Sequence, residues 1–187
     1  MSSRDNYKPG PASGAEIRKD QDKWTLVIVR ELRHSPAKVW QALTDPAELR
    51  EWAPFDVDRS LASVGPVKLT TVGTPKPVIS ETRVTRADAP RLLEYRWGEM
   101  DMRWQLEPVA DGTRLTLWHN IERGFISMGA AGWHICLDVL DRLIAGDALG
   151  RIVAGDAMKF EWSRLNLEYA KQFGIDPPAW PPKGPQA

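Results

Sequence analysis

Apolar residues recur with helical spacing over the longest periodic stretch of the chain, Gly129 to Gly146. They fall at i, i+3, i+4, i+7, i+10 and i+11, which places them on one stripe of an α-helix. The stripe consists of Trp133, Cys136, Leu137, Leu140, Leu143 and Ile144. The pattern predicts a long amphipathic helix that buries one face against the rest of the chain.

Before this helix, apolar and polar residues alternate with the period of a β-strand. In one such segment Leu93, Tyr95 and Trp97 share a face, and Glu94 and Arg96 share the other. Alternation of this kind is typical of an antiparallel sheet with one wet face. Turn residues separate seven predicted strands: Trp24–His34, Phe55–Arg59, Val67–Val72, Val78–Arg86, Arg91–Trp97, Met100–Pro108 and Thr113–Ile121.

Two short helices are predicted between the first and second of these strands. Ser35 before Pro36 and Asp45 before Pro46 each combine a good N-cap with a proline at the first helical position. The second helix ends near Trp52 because Pro54 follows. After the long helix, glycines at 146, 150 and 155 predict a break, and a final helix runs from Asp156 to Phe173.

These elements predict one α+β domain in which a seven-stranded antiparallel sheet wraps around the long helix. The domain spans residues 23–174, with an additional C-terminal helix at its end. Residues 1–22 are polar and lack periodicity, which predicts a flexible N-terminal arm. Residues 175–187 form a Pro-rich tail around Trp180, which could pack back on the domain or bind a protein partner.

Composition excludes several classes of protein. The chain has 25 Lys and Arg and 25 Asp and Glu, so its net charge of zero does not favour nucleic-acid binding. The longest apolar run is too short for a membrane span, and the N-terminus has no apolar signal core. A single cysteine, Cys136, excludes an intramolecular disulfide and a cysteine-based metal cluster. We expect a cytoplasmic protein without a metal or cofactor.

Inward-facing aromatic and aliphatic side chains are candidates for the wall of an apolar pocket, although for each of them singly packing in the core is the more common role. On the strands, His119 shares a face with Leu117, so it could hydrogen-bond a ligand, act as an acid or base, or be a satisfied core histidine. The candidate ligand-binding residues are Tyr95, Trp97, Met102, Trp104, Leu117, His119, Trp133 and Leu137.

Catalytic candidates are His119, His134 and Tyr95, and no nucleophile motif accompanies them. Asp138 follows His134 at i+4 and therefore lies on the same helix face. A carboxylate there could fix the imidazole tautomer, although the same pair is also common on solvated helix faces. The three histidines of the chain are spread over separate elements, which disfavours a metal site.

Three sequence blocks carry a resemblance to a known family: SPAKVWQALTDPAELREW, VADGTRLTLWHN and GWHICLDVLDRLIAG. With the order of strand, two short helices, six strands and long helix, the chain resembles the activator-of-Hsp90-ATPase homologues over about residues 24–173. These homologues are a branch of the START/Bet v 1 (SRPBCC) superfamily. The resemblance implies a helix-grip fold with a mainly apolar cavity between the sheet and the long helix.

The resemblance leaves three functions open. The first is a binding protein that holds a lipid- or polyketide-like molecule in the cavity. The second is a cyclase- or hydrolase-like enzyme acting on such a ligand. The third is an Hsp90-type chaperone accessory or stress-response interaction protein, which would not need a cavity. Exposed sheet edges could also pair to make a homodimer.

Overall fold

An eight-stranded antiparallel sheet curls around one long helix in the computed structural model, which describes residues 2–177. The order of strands across the sheet is β1-β2-β8-β7-β6-β5-β4-β3. The strands are β1 Ala15–Asp20, β2 Lys23–Leu32, β3 Phe55–Val57, β4 Gly65–Thr71, β5 Val78–Asp88, β6 Leu92–Trp97, β7 Met100–Val109 and β8 Gly112–Asn120. The predicted Pro-rich tail around Trp180 lies outside the described residues.

The seven predicted strands are all present, but the predicted count was wrong because the sheet has an eighth. Strand β1 lies in the segment that we predicted to be a flexible arm, and it pairs with β2 so that Ile17 is opposite Leu26. Only Ala15 and Ile17 of β1 are half-buried, and its other residues are exposed. Only these two apolar residues alternate in this short edge strand, which is too few to predict a strand from the sequence.

The residues before β1 are tied to both C-terminal helices. We call residues 2–14 the N-terminal segment. The Nη1 of Arg4 donates to three successive backbone carbonyls, those of residues 149, 150 and 151, at 3.0, 3.0 and 3.1 Å. The Tyr7 hydroxyl donates to Asp138 at 2.6 Å, and the amide of Ala12 donates to Glu168 at 2.8 Å. These contacts anchor the segment across the helical face of the domain.

The two short helices are confirmed as α1 Pro36–Thr44 and α2 Pro46–Trp52. Oγ of Ser35 accepts the amide of Lys38 at 3.4 Å. Oδ1 of Asp45 accepts the amides of residues 47 and 48 at 2.8 and 3.1 Å. Side-chain caps of this kind satisfy amides that the first helical turn leaves unpaired.

The long helix, α3 Ile126–Ile144, begins three residues before the predicted start and packs inside the curl of the sheet. After it, the chain runs without regular structure to a 3₁₀ helix, Ala154–Phe160. The last helix, α4 Trp162–Phe173, is shorter than predicted because Glu161 adopts a left-handed conformation with φ 59° and separates it from the 3₁₀ helix. None of the helices within residues 2–177 is both long and apolar enough to span a bilayer.

We predict that Arg4→Ala loosens the connection between α3 and α4, because the carbonyls of residues 149–151 lose a common donor. Amide hydrogen exchange across residues 147–158 should rise, and the free energy of unfolding should fall by about 1–2 kcal/mol. Hydrogen exchange with mass spectrometry and urea denaturation measure the two effects. The control is Lys8→Ala, an exposed position of the same segment. Equal exchange in both variants would contradict the anchoring role of Arg4.

Candidate ligand-binding site

A cavity of about 310 Å³ lies between the sheet, α3 and the connection from α3 to α4. Its walls come from four parts of the chain and are almost entirely apolar. Pro54 lies after α2, and the sheet side contributes Trp97, Met100, His119 and Ile121. Helix α3 contributes Met128, Gly129, Gly132, Trp133 and Cys136. The α3–α4 connection and the first residue of α4 contribute Ile152, Val153, Ala154, Ala157, Met158 and Trp162.

Small residues on α3 make room for the cavity. Gly129, Gly132 and Cys136 are spaced i, i+3 and i+7, so they share one face of the helix. A Cβ built on Gly132 would have only Trp162 nearby, with Nε1 at 4.0 Å, whereas one on Gly129 would lie 2.4 Å from Ile121 Cδ1. This run of small residues was the signal in the sequence that could have located the cavity.

Tryptophan rings form the inner wall, and hydrogen bonds fix their orientation. Trp97 and Trp133 line the cavity and meet edge to face, with ring centroids 6.1 Å apart. The indole N–H of Trp97 donates to Oγ1 of Thr71 at 2.8 Å. The indole N–H of Trp133 donates to Nδ1 of His119 at 2.9 Å. Both rings therefore have one preferred orientation, and the wall that they form is rigid.

His119 is held by its two aromatic neighbours. It is 2% exposed, and its ring stacks on Trp97 with centroids 5.9 Å apart. An indole N–H can only donate, so Nδ1 of His119 is an acceptor and carries no proton. Burial lowers the pKa of His119 to about 3, so the ring is neutral and its single proton sits on Nε2. This Nε2–H has no hydrogen-bond partner within the described part of the chain.

The cavity wall is neutral. Among the lining residues, only His119 and Cys136 have side chains that could ionise between pH 2 and 12. Burial raises the pKa of the Cys136 thiol to about 12, so it stays protonated, as expected for an inert buried thiol. The wall therefore contains no charge at neutral pH, and Nε2 of His119 is its one buried side-chain nitrogen without a hydrogen-bond partner among residues 2–177.

The second catalytic candidate, His134, lies away from the cavity. Its Nδ1 is 2.7 Å from the hydroxyl of Tyr169, which itself donates to the carbonyl of Ser13 at 3.0 Å. Nδ1 of His134 is therefore the donor of the pair. Asp138 is 3.7 Å from Nε2 of His134, beyond hydrogen-bond distance, and accepts from Tyr7 instead. Burial lowers the pKa of His134 to about 4. The structure places this histidine in the contact with the N-terminal segment.

Three of the eight predicted ligand-binding residues line the cavity: Trp97, His119 and Trp133. The other five are buried beside it in the core: Tyr95, Met102, Trp104, Leu117 and Leu137. Trp104 is enclosed because Trp52 and Trp133 pack against it edge to face, at 6.1 and 5.4 Å. Its N–H donates to the Tyr95 hydroxyl at 3.0 Å, and burial raises the pKa of that hydroxyl.

Residues 2–177 contain no cluster of three or more His, Cys, Asp or Glu side chains that could hold a metal ion. The remaining histidine, His34, pairs with Asp141 on α3, with 2.9 Å between Nε2 and Oδ1. The pair links the chain after β2 to the outer side of the long helix.

Comparison with solved structures finds the same fold in bacterial proteins of low sequence identity. A conserved protein of unknown function from Enterococcus faecalis is 18% identical, with 84% of this chain and 89% of the other covered and a TM-score of 0.65. CalU16 from Micromonospora echinospora is 20% identical, with 84% and 98% covered and a TM-score of 0.59. An AHSA1-like protein from Aeromonas hydrophila is 19% identical, with 67% and 94% covered and a TM-score of 0.55.

No curated protein sequence matches this chain. The family described as polyketide cyclase / dehydrase and lipid transport has a model that matches residues 23–165, from the start of β2 into α4. The match covers strands β2 to β8, the long helix and all of the residues that line the cavity. The chain therefore belongs to the polyketide cyclase / dehydrase and lipid transport family, within the SRPBCC superfamily that its sequence predicted.

Proposed function

We propose that this protein binds a small, mainly apolar molecule in the cavity between the sheet, α3 and the α3–α4 connection. The observation that carries the proposal is a neutral apolar cavity of about 310 Å³ with one buried hydrogen-bond donor, Nε2–H of His119. Apolar walls with a few placed polar groups are the usual design of a small-molecule site. The family description, which combines polyketide chemistry with lipid transport, agrees with an apolar ligand.

In this proposal His119 orients the ligand and does not transfer protons. Its Nδ1 is occupied by the indole N–H of Trp133, so no free lone pair faces a substrate. Its Nε2–H belongs to a neutral imidazole, which is a hydrogen-bond donor and a very weak acid. A binding role therefore fits this geometry better than the acid or base role that the sequence also allowed.

A cyclase-like enzyme is the second candidate function, favoured by the same Nε2–H. Donation to a ligand carbonyl would polarise it toward attack by an enol carbon of the same molecule, with the enol O–H proton passing to the new hydroxyl group. Because the described cavity wall offers no base, ring closure would depend on holding the substrate in a reactive conformation. Chromatography of the ligand after incubation separates the two candidates, since a binding protein returns it unchanged.

The chaperone-accessory function rests on the sequence resemblance to the activator-of-Hsp90-ATPase homologues and on a fold shared with the AHSA1-like protein. It requires no cavity, so the apolar cavity favours the binding proposal over it. The cytoplasmic location, the homodimer and partner binding through the tail around Trp180 stay predictions from the sequence.

We predict that filling the cavity from α3 abolishes binding. Gly132→Leu should project a side chain into the open space beside Trp162 and weaken binding of the neutral probe N-phenyl-1-naphthylamine at least tenfold. Gly132→Ala is the matched control: one methyl group leaves most of the volume, and the loss of a helical glycine should stabilise the fold by about 0.5–1 kcal/mol. Probe fluorescence and thermal melting measure both effects. Unchanged probe affinity in Gly132→Leu would contradict the cavity as the binding site.

We predict that His119 makes the fold sensitive to acid. The pKa of His119 is lowered in the folded protein, so between its usual value near 6.5 and about 3 only the unfolded chain binds this proton. The contribution of His119 to the free energy of unfolding is therefore fully present above pH 6.5, and it decreases as the pH falls from 6.5 toward 3. From pH 7 to pH 5 the wild type should lose about 2 kcal/mol more than His119→Gln, which cannot titrate.

Urea denaturation at the two pH values measures the difference. His134 and the carboxylates titrate in both proteins, so their contribution cancels in the comparison. If both proteins lost the same free energy of unfolding, His119 would have an ordinary pKa and would not be buried in its neutral form.

A further inference from the structure

We propose that the Trp133–His119 pair selects the ligand: it favours uncharged molecules that carry a hydrogen-bond acceptor over hydrocarbons and over anions. The inference rests on the proposed function and adds the ligand chemistry that the cavity accepts. It follows from three properties of the described residues, which are the fixed donor, the uncharged wall and the flat aromatic faces.

The contacts of His119 determine which ring nitrogen carries the proton and also hold the ring in one orientation. Rotating the imidazole by half a turn, or moving its proton to Nδ1, would break the bond from the Trp133 indole at 2.9 Å and leave that N–H unpaired. The stacking of Trp97 on the other side restricts the ring further. The His119 ring, which lines the cavity, therefore has a donor and no acceptor left unpaired, so we expect it to pair with a carbonyl or ether oxygen.

A ligand without an acceptor leaves this donor unsatisfied. Nε2 of His119 is buried, and no described protein group lies within hydrogen-bond distance of it. An unpaired buried donor costs free energy of the order of a hydrogen bond, so a ligand oxygen that reaches Nε2–H gains affinity relative to a hydrocarbon of the same shape. The gain expected for a neutral pair is about tenfold in Kd.

Anions are rejected because nothing in the wall compensates a charge. The lining side chains include no lysine, arginine or carboxylate, and His119 is neutral. A carboxylate moved from water into this wall would lose its hydration in exchange for one neutral donor. This separates the cavity from sites that hold fatty acids or other acids by an ion pair.

The shape of the wall favours rings. Trp97 and Trp133 both line the cavity, and their ring planes are nearly perpendicular, at 76°. Three methionines, Met100, Met128 and Met158, complete the lining and can adjust to the outline of the ligand. Flat aromatic molecules gain favourable stacked or edge-to-face contacts with indole rings.

A matched series of naphthalenes tests the inference. The probes are 2-acetylnaphthalene, 2-ethylnaphthalene and 2-naphthoate, which share one ring system and differ in the acceptor and the charge. Titration calorimetry at pH 7 on the full chain should give a Kd for 2-acetylnaphthalene about tenfold below that for 2-ethylnaphthalene. 2-Naphthoate should bind at least tenfold more weakly than the ethyl compound.

Two variants assign the preference to His119. His119→Leu removes the donor, so the acetyl and ethyl probes should bind within twofold of each other. His119→Gln should keep the preference, since its amide oxygen can accept the Trp133 N–H while its NH₂ group donates to the ligand. Thermal melting shows that each variant is folded, and the wild-type series tests the selectivity even if one of them is not.

The outcomes separate this inference from the proposed function. Equal affinity of the acetyl and ethyl probes for the wild type, or tightest binding of 2-naphthoate, would overturn the selectivity and leave the binding function standing. An acetyl preference that persists in His119→Leu would overturn the role of the pair. If none of the three probes bound, while the Gly132 series also gave no binding, both the inference and the proposed function would fall.

Discussion

The hydrogen bond from the Trp133 indole to Nδ1 of His119 joins α3 to strand β8, and the arrangement of the site depends on it. It sets the ring orientation of Trp133, against which Trp97 and Trp104 pack. It also fixes the tautomer of His119 and thereby the polarity of the cavity. Each partner is buried, so loss of either would leave a polar atom without water or protein to satisfy it.

Two glycines on α3 lie in the cavity wall, where larger side chains would make more packing contacts. Protein interiors are close-packed, and a glycine within a helix costs about 0.5–1 kcal/mol relative to alanine. Gly129 allows Ile121 to approach the helix, since a Cβ there would lie 2.4 Å from Cδ1 of Ile121 and displace that side chain. Gly132 has no such neighbour, so alanine would fit and would favour the helix. Packing accounts for the first glycine, and the open volume accounts for the second.

Much of the fold could be predicted from the sequence because its signals are local. Helical and strand periodicity located α3 and seven strands, and the capping residues Ser35 and Asp45 located the short helices. The wall residues were harder. Trp97 and Trp104 have the same inward register, yet one lines the cavity and the other is core, because Trp52 of a distant helix covers Trp104. Alternation predicts which face a side chain takes and carries no information about what packs on it.

The outer wall of the cavity could not be predicted for a related reason. The connection between α3 and α4 has no regular secondary structure before Ala154, so its carbonyls need donors from elsewhere. Arg4 supplies them to residues 149–151. Arg151 pairs with Asp56 in the edge strand β3 and donates to the carbonyl of Leu49 in α2.

Two guanidinium groups, Arg4 of the N-terminal segment and Arg151 of the connection itself, thus hold the backbone next to Ile152 and Val153, which line the cavity. A polar N-terminal segment without periodicity gives no sign of such a role in the sequence. Arg4 nevertheless helps to shape the site. Backbone without regular secondary structure is held in place by the donors that bind its carbonyls, and Arg4 is one of these donors.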